Sequence, residues 1–324
     1  MTKDIAPKKS LRLIAGRSNP ELAEEIAEHL GTPLSEVEIE DFANGEVYVR
    51  FQENIRGTDV FVIQTHSSPI NKQIMEQLIM IDAARRASAK RITAVVPYYG
   101  YSRQDKKGRG REPITARLLA DLFIAAGVDR VLSVDLHTAQ IQGFFDKPFD
   151  HLTALPLLVG FFQQKFGPDI VVVSPDAGRV RVAEKFADKL GAPLAILHKR
   201  RRADVRNVSE IALEVVGEVQ GRRCLLVDDM IDTAGTVTGG AKVLMEFGAD
   251  EVYACCTHAI LSDPAIDRIK NAPIKELVVT NTVPLPPDKK LDNITVLSIA
   301  PTLARTIEAV FTDESVSQIF EGDN

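Results

Sequence analysis

Short apolar runs alternate with helical patterns along most of the chain, and this alternation constrains the possible fold more than any other feature. Leu11–Ala15 and residues 60–64 are runs of this kind, and both are too short for a typical helix. The segment 71–88 instead places apolar side chains at helical spacing. Strands that alternate with helices predict α/β domains with parallel sheets.

A weak internal repeat favours two similar halves. Gly127 precedes His137 by the same spacing as Gly248 precedes His258, and each glycine is followed by an aspartate and an apolar run. The length of 324 residues allows two domains of ordinary size.

The predicted fold is therefore α/β, with two similar domains that each contain a mostly parallel sheet flanked by helices. The predicted domains are residues 1–153 and 154–324. An acidic tail follows Thr312, and packing of this tail back on the first domain is the alternative.

The stretch CLLVDDMIDTAGTVT, residues 224–238, is the strongest candidate for a binding site. An apolar run predicts a strand that ends at the carboxylates Asp228 and Asp229, and Asp232 follows in a turn. Free backbone N–H groups at a helix start can hold a phosphate, and carboxylates accept hydrogen bonds from sugar hydroxyls. The pattern predicts a sugar-phosphate site; a strand and turn that bind nothing are the alternative. The turn residues concerned are Thr233, Ala234, Gly235 and Thr236.

An Asn44-Gly45 pair predicts a hairpin turn between residues 37–40 and Val47–Phe51. A hairpin alone explains this pattern. The aromatic Phe42 and the carboxylate Glu46 at its tip are equally suited to face a ligand base.

Residues 102–112, SRQDKKGRGRE, place five basic side chains and two glycines directly after a predicted strand. Ligands of open α/β sheets bind at such strand ends. Positive charge in a chain of net charge −6 would suit a polyphosphate. A solvated loop without a ligand is the alternative.

Two further strand ends carry polar side chains. Asp135 and His137 stand two residues apart, which predicts that they project on the same side of a strand. Contact with a cation or a phosphate therefore competes with a structural role for the histidine. The run HKRRR, residues 198–202, is either a cationic part of a site or a solvated face.

Composition excludes several classes of function. The modest net charge does not imply a nucleic-acid partner, and no apolar run approaches a membrane span. The first ten residues lack the apolar core of a signal peptide. The three cysteines, Cys224, Cys255 and Cys256, lie in apolar runs without metal-ligand spacing. This pattern is typical of a reducing compartment, and we predict a cytoplasmic protein.

Six segments together resemble class I ribose-phosphate pyrophosphokinases (phosphoribosyl pyrophosphate synthetases). They are SRQD, REPITARLLADL, VLSVDLHTAQIQGFFD, VVVSPDAG, HKRR and LLVDDMIDTAGT, and the resemblance runs from about Leu11 to the C-terminus. Phosphoribosyltransferases share the last segment but not the others.

The resemblance implies phosphoribosyltransferase-like domains, the first for ATP and the second for ribose 5-phosphate. It implies transfer of the β,γ-diphosphoryl group of ATP to the C1 hydroxyl of ribose 5-phosphate, with Mg²⁺ as cofactor and AMP as by-product. The other product would serve nucleotide, histidine and tryptophan biosynthesis. A homo-oligomer, such as a hexamer, is also implied.

The resemblance also implies roles for particular residues. The adenine-binding hairpin would contain Phe42, Asn44, Gly45 and Glu46, and it would contribute to the ATP site of a neighbouring subunit. Further ATP contacts would come from Arg103, Gln104 and His137, and magnesium contacts from His137 and Asp176. The catalytic cations would be Lys199 and Arg201. The ribose 5-phosphate site would comprise Arg201, Asp228, Asp232, Thr233, Ala234, Gly235 and Thr236.

One position departs from the family pattern, because many relatives carry glycine where this chain has Arg179. Two other functions are alternatives. A catalytically silent regulatory subunit could lose Lys199 and Arg201, which are present here. A phosphoribosyltransferase would need neither the hairpin nor the Arg103-Gln104 segment.

Overall fold

Two large β-sheets organise the protein in a computed structural model that describes residues 9–201 and 211–317. Each sheet belongs to its own compact unit. Within the described ranges, unit 1 comprises residues 9–153, Thr282–Pro284 and 298–317. Unit 2 comprises residues 154–201, 211–281 and Leu285–Leu297.

Unit 1 contains, in chain order, β1 (Leu11–Ala15), α1 (Pro20–Leu30), β2 (Val37–Asp41), β3 (Val47–Phe51), β4 (Asp59–Ile63), α2 (Ile70–Arg86), β5 (Arg91–Val96), α3 (Thr115–Ala126), β6 (Arg130–Val134), a 3₁₀ helix (Ala139–Phe144) and β7 (Phe149–Leu152). Unit 2 contains α4 (Leu155–Phe166), β8 (Val171–Ser174), α5 (Val180–Leu190), β9 (Leu194–Arg201), β10 (Ile211–Val216), β11 (Arg223–Ile231), α6 (Gly235–Glu246), β12 (Glu251–Ala259), α7 (Ala265–Lys270), β13 (Glu276–Thr280), a 3₁₀ helix (Pro287–Lys289) and β14 (Ile294–Leu297). The last helix, α8 (Ala300–Thr312), belongs to unit 1.

The sheet of unit 1 follows the chain order β1-β4-β5-β6-β7, and all of its neighbouring strands are parallel. Strands of parallel sheets are covered on both faces and therefore consist of nearly continuous apolar residues. Strand β4 is buried throughout. The hairpin β2–β3 forms a separate antiparallel pair that packs against α2.

The sheet of unit 2 has the order β10-β9-β8-β11-β12-β13-β14, and of its described strands only β9 and β10 are antiparallel neighbours. The chain leaves β8 toward β9 on one side and later returns to β11 on the other side. The order therefore reverses between β8 and β11. Ligands of open α/β sheets bind outside the carboxyl ends of the strands at such a switch point.

The predicted fold class is confirmed: both units contain mostly parallel sheets flanked by helices. The C-terminal boundary differs from the predicted range 154–324, because residues 298–317 group with unit 1. Helix α8 packs against α1 and buries Leu303 and Ile307. This apolar face accounts for the return of the chain to the first unit.

Candidate functional site

The switch point of unit 2 brings together several of the polar residues that the sequence singles out. Strands β8 and β11 are parallel neighbours, so their carboxyl ends lie at the same edge of the sheet. Asp176 and Arg179 follow β8, whereas Asp228 and Asp229 lie near the end of β11. The polar residues therefore lie where the topology alone predicts a ligand.

Strand β11 is longer than the sequence predicts, because it continues through both aspartates to Ile231. The parallel partner β12 extends equally far and supplies hydrogen bonds along this stretch. Asp228 and Asp229 are therefore held by a buried sheet and not by a turn.

Each carboxylate is fixed by a backbone N–H group of the following residue. Oδ1 of Asp228 accepts from the N–H of Asp229 at 2.9 Å, and Oδ1 of Asp229 accepts from the N–H of Met230 at 2.9 Å. The Asp228 side chain is 22% exposed and the Asp229 side chain only 7%. The contacts of Asp228 with the N–H of Asp229 and with Nε of Arg179 both use Oδ1, so Oδ2 is the candidate acceptor for a ligand.

Arg179 neutralises part of this negative charge. Its Nε lies 3.3 Å from Oδ1 of Asp228, and its Nη2 lies 2.6 Å from Oδ2 of Asp229. Burial and the neighbouring Asp229 raise the pKa of Asp228 to about 8, although Arg179 acts in the opposite direction. Donors on a ligand, such as sugar hydroxyls, would favour the ionised form.

The turn after β11 forms an exposed cradle at the start of α6. Thr233, Gly235 and Thr236 are exposed, whereas Ala234 is buried. Ala234 has a φ of 58°, a left-handed conformation that is unusual for a residue with a Cβ atom and is typical of functional loops. The first N–H groups of a helix have no partner inside the helix, and the helix dipole makes this end attractive to anions. Asp232 lies in the same turn and is partly buried.

Arg268 is a neighbour of this turn that the sequence reasoning missed. Its Nη1 donates to the carbonyl oxygen of Thr233 at 2.8 Å, so a cation from α7 lies beside the start of α6. A Cβ atom on Gly235 would lie only 3.3 Å from the same nitrogen. The glycine therefore gives room to Arg268. No local motif marks Arg268, because the contact spans 35 residues.

Lys199 and Arg201 lie on the last residues of β9, and only their backbones belong to the described part of the chain. Strand β9 pairs with β8 in parallel, so the carboxyl ends of both strands point toward the same edge of the sheet. Arg202 lies outside the described residues.

The hairpin of unit 1 presents aromatic side chains at its tip. Phe42 is 54% exposed, and its ring centroid lies 5.9 Å from that of Tyr48. The turn is closed by hydrogen bonds from the N–H of Phe42 to the carbonyl of Glu46 and from the N–H of Gly45 to the carbonyl of Phe42, both at 2.8 Å. Oδ1 of Asn44 accepts from the N–H of Glu46 at 3.2 Å. An aromatic pair that is exposed at a hydrogen-bonded turn is suited to stack on a ring of a ligand.

The base of the hairpin is anchored by ion pairs. Asp41 accepts from Nη2 of Arg17 at 2.8 Å and from Nζ of Lys72 at 2.5 Å. Arg17, followed by Lys72, lowers the pKa of Asp41 to about 2. Arg17 also donates through its backbone N–H and its Nε, each at 2.7 Å, to the buried carboxylate of Glu76 on α2.

The basic loop after β5 has internal structure. Oε2 of Glu112 accepts from the N–H groups of Gly108 and Arg109 at 2.8 Å each. Gln104 accepts from the hydroxyl of Thr115 at 2.5 Å. Both Arg103 and Gln104 are exposed. The loop therefore presents these two side chains to solvent from a defined backbone.

His137 follows β6 in a loop that is tied to the basic loop by a hydrogen bond from the hydroxyl of Thr138 to Asp105 at 2.7 Å. The prediction that Asp135 and His137 project on the same side of a strand is wrong, because β6 ends at Val134. Asp135 has a φ of 38°, so the side-chain alternation of a strand does not continue through it. His137 is partly buried.

The described residues contain no group of three or more His, Cys, Asp or Glu side chains arranged to hold a metal ion. Asp176 accepts from the N–H groups of Gly178 at 2.8 Å and Arg179 at 3.1 Å, both through Oδ1. Its second oxygen remains suited to a hard cation. Mg²⁺ usually takes one or two protein carboxylates together with waters and substrate phosphates, so the donor set fits this metal without a preformed cage.

Comparisons with known proteins match both parts of the chain. Residues 11–127 match the family model described as the N-terminal domain of ribose phosphate pyrophosphokinase. Residues 206–321 match the model described as the phosphoribosyl synthetase-associated domain.

Full-length relatives carry the same name. The chain is 58% identical to a ribose-phosphate pyrophosphokinase of Streptomyces coelicolor, with 97% of each chain covered. It is 56% identical to one of Bifidobacterium longum, with 97% of this chain and 94% of that one covered. A solved structure of phosphoribosylpyrophosphate synthetase from Mycobacterium smegmatis superposes with a TM-score of 0.89 at 55% identity, covering 94% of this chain and all of that one.

Proposed function

The chain belongs to the ribose-phosphate pyrophosphokinase family and makes 5-phosphoribosyl 1-diphosphate from ATP and ribose 5-phosphate; from this premise we propose which residues hold each substrate. The predicted enzyme class is thereby confirmed. Unit 2 is assigned to ribose 5-phosphate and unit 1 to ATP. The observation that carries the assignment is the strand–turn–helix from β11 to α6 at the switch point of unit 2.

In the proposed acceptor site, the phosphate of ribose 5-phosphate binds the N–H groups at the start of α6, with the hydroxyls of Thr233 and Thr236 as further donors. Oδ2 of Asp228 accepts from a ribose hydroxyl. Asp232 is assigned to the same site because it lies in the same turn. The other members of the proposed set are Ala234, Gly235 and Arg201.

In the proposed donor site, the exposed ring of Phe42 stacks on adenine, and the turn of Asn44, Gly45 and Glu46 offers it polar groups. Arg103 and Gln104 are assigned to the phosphates or ribose of ATP because both are exposed on a structured, cationic loop. His137 is assigned to ATP as well.

The reaction forms a bond between the C1 oxygen of ribose 5-phosphate and the β-phosphorus of ATP, and it breaks the bond from that phosphorus to the oxygen retained by AMP. The C1 hydroxyl loses its proton. Such transfers depend on alignment of the reacting groups and on stabilisation of the negative charge that spreads over the phosphoryl oxygens. Lys199, as a point charge, and Arg201, as a planar fork, are proposed to supply this stabilisation.

We assign the metal as Mg²⁺, because hard oxygen ligands and polyphosphate substrates favour it. Bound Mg²⁺ would neutralise phosphate oxygens, and Asp176 and His137 are each proposed to contact it. Histidine is an uncommon direct ligand of so hard a cation, so contact through water is an equal alternative for His137.

The protein is further proposed to form homo-oligomers, with a hexamer as the expected state, in which the hairpin of one subunit serves the site of its neighbour. The side chains of Phe42 and Tyr48 are 54% and 36% exposed in the described part of the chain, and this exposure supports the assignment. A cytoplasmic location is proposed because Cys224, Cys255 and Cys256 are free and buried. No helix in the described ranges is long and apolar enough to cross a membrane.

Formation of AMP from ATP and ribose 5-phosphate, measured with Mg²⁺, tests the activity and separates it from the alternatives. A silent subunit would form no AMP. A phosphoribosyltransferase would release diphosphate from 5-phosphoribosyl 1-diphosphate and would not consume ATP.

Substitution Lys199→Ala tests the proposed catalytic cation. Loss of charge stabilisation should lower kcat by about a hundredfold or more, with little change in KM for ribose 5-phosphate. Lys242→Ala, at an exposed lysine of α6, is the matched control and should be near normal. Near-normal turnover of Lys199→Ala would remove this residue from the mechanism.

Substitution Asp228→Asn tests the acceptor site. The amide keeps the shape of the side chain but weakens acceptance from a ribose hydroxyl, so KM for ribose 5-phosphate should rise about tenfold. KM for ATP should change far less. If KM for ribose 5-phosphate is unchanged, the hydroxyl contact is not made by this residue.

A further inference from the structure

Arg179 occupies a position that the proposed reaction does not yet explain. It precedes α5 directly, and its side chain is 14% exposed. Its guanidinium pairs with Asp228 and Asp229, and its backbone N–H donates to Asp176. One residue therefore contacts all three acidic side chains at the switch point between β8 and β11.

Two nitrogen atoms of the guanidinium contact oxygens of different carboxylates. Nε approaches Oδ1 of Asp228 at 3.3 Å, the same oxygen that accepts from the N–H of Asp229. Nη2 binds Oδ2 of Asp229 at 2.6 Å. Because Oδ1 of Asp228 is held from two directions, the rotation of this carboxylate is restricted, which fixes the position of Oδ2, the oxygen assigned to the ligand.

Electrostatics gives a second reason for a cation at this place. Adjacent carboxylates with little solvent repel each other, and they would also repel the doubly charged phosphate of the substrate. A planar guanidinium with several fixed donors can bind both carboxylates at once, whereas an ammonium acts as a single point charge.

Anchoring of α5 does not require this side chain. The helix buries Ala183, Phe186 and Leu190 on one face and ends at Gly191 in a left-handed conformation. This apolar face anchors the helix, so a substitution at position 179 can be tested in a folded protein.

We propose that Arg179 is a positioning residue for the acceptor sugar, and that its guanidinium orients Asp228 by contacting Asp228 and Asp229 at the same time. The proposal rests on the assignment of Asp228 to ribose 5-phosphate. In a chain where glycine replaces this arginine, the two carboxylates must be oriented by other means.

Binding of ribose 5-phosphate to the full-length enzyme, measured by calorimetry without ATP, tests the proposal. Arg179→Met keeps apolar volume but removes the donors, and it should raise Kd about tenfold, as for a lost charged hydrogen bond. Arg179→Lys keeps the charge without the fork and should give an intermediate Kd. Arg181→Met, at an exposed arginine of the same helix, is the matched control and should stay within about twofold of the parent. In turnover, KM for ATP should be unchanged.

A double-substitution cycle with Asp228→Asn shows whether Arg179 acts through Asp228. If it does, Arg179→Met should change Kd by less than about twofold when Asp228→Asn is already present. A change in Kd of the double variant that equals the product of the changes in the two single variants would overturn the proposal. So would a normal Kd in Arg179→Met together with a lowered melting temperature, which would show a purely structural role.

The cycle also separates the two claims. If Asp228→Asn leaves Kd unchanged, the assignment of Asp228 itself fails. If Asp228→Asn weakens binding but Arg179→Met and Arg179→Lys do not, only the positioning role fails. If Arg179→Met does not fold, Arg179→Lys tests the proposal instead. A normal Kd in that variant would contradict the need for contact with both carboxylates.

Discussion

At the scale of single residues, Asp228 and Asp229 share a sequence motif but have different surroundings. Both accept a hydrogen bond from the next backbone N–H group, yet the Asp229 side chain is 7% exposed and the Asp228 side chain 22%. The sequence already favoured Asp228 as the ribose contact, because the family pattern distinguishes the two positions. The contacts of Arg179 with both carboxylates could not be predicted, because these partners lie about fifty residues away in the chain.

The raised pKa of Asp228 predicts that substrate binding releases protons. Burial and the neighbouring Asp229 raise the pKa of Asp228, so the free protein keeps a proton on this carboxyl group at a higher pH than an ordinary aspartate does. Donors from a ribose hydroxyl stabilise the carboxylate and lower this pKa, so a proton should leave on binding. Calorimetry at pH 7 in two buffers of different ionisation enthalpy measures this release. Asp228→Asn removes the group, and equal release by parent and variant would contradict the prediction.

Arg268 gives a second prediction for a single residue. Its guanidinium holds the Thr233 carbonyl and places positive charge beside the start of α6. Arg268→Met should therefore raise KM for ribose 5-phosphate several-fold. Added salt should raise this KM more in the parent enzyme than in the variant. Lys270→Met, on the same helix, serves as the control. Equal KM values at low salt would show that Arg268 only supports the turn.

At the scale of elements, most strands and helices lie where the apolar patterns predict them. The ranges Leu11–Ala15 and Val47–Phe51 agree with the sequence prediction residue by residue. Strand β11 exceeds its predicted length because β12 pairs with it beyond the apolar run. Such an extension depends on a tertiary neighbour, and the local pattern does not contain it.

In the hairpin β2–β3, too, the local pattern predicts one part of the structure, and tertiary contacts determine another part. Its Asn-Gly turn is readable from the sequence, whereas its anchor is not, because Arg17, Lys72 and Glu76 come from other elements.

Asp41→Asn should therefore weaken the donor site without direct contact to ATP. Loss of the ion pairs to Arg17 and Lys72 loosens the base of the hairpin, so KM for ATP should rise several-fold while KM for ribose 5-phosphate stays constant. Asp82→Asn, which removes an exposed ion pair with Arg86 on α2, is the control. A parallel rise of both KM values would indicate general destabilisation.

At the scale of the whole molecule, the reaction requires two substrates, and the chain offers one candidate surface in each unit. Composition and alternation were sufficient to predict two α/β domains, because parallel sheets need both short apolar strands and crossover helices. They were not sufficient to assign the last helix, because the apolar face of α8 does not reveal which unit it covers. The reversal of strand order between β8 and β11 likewise becomes visible only in the folded sheet.

Exchange of the hairpin between subunits predicts complementation of two defective variants. Phe42→Ala and Lys199→Ala damage different parts of a site, and in mixed oligomers some sites would combine an intact Phe42 with an intact Lys199 from two chains. Co-expression should then restore up to about one quarter of the parental activity if subunits mix randomly. Activity no higher than the mean of the two variants would show that each chain uses its own hairpin.

The most direct test of the proposed division of substrates is a crystal structure with ribose 5-phosphate and an ATP analogue that cannot be cleaved between the α- and β-phosphorus atoms. We expect the sugar phosphate at the start of α6, with a ribose hydroxyl within hydrogen-bond distance of Oδ2 of Asp228. The adenine ring should lie against Phe42. A sugar phosphate bound away from the β11–α6 turn, with Asp228 still paired only to Arg179, would contradict the account.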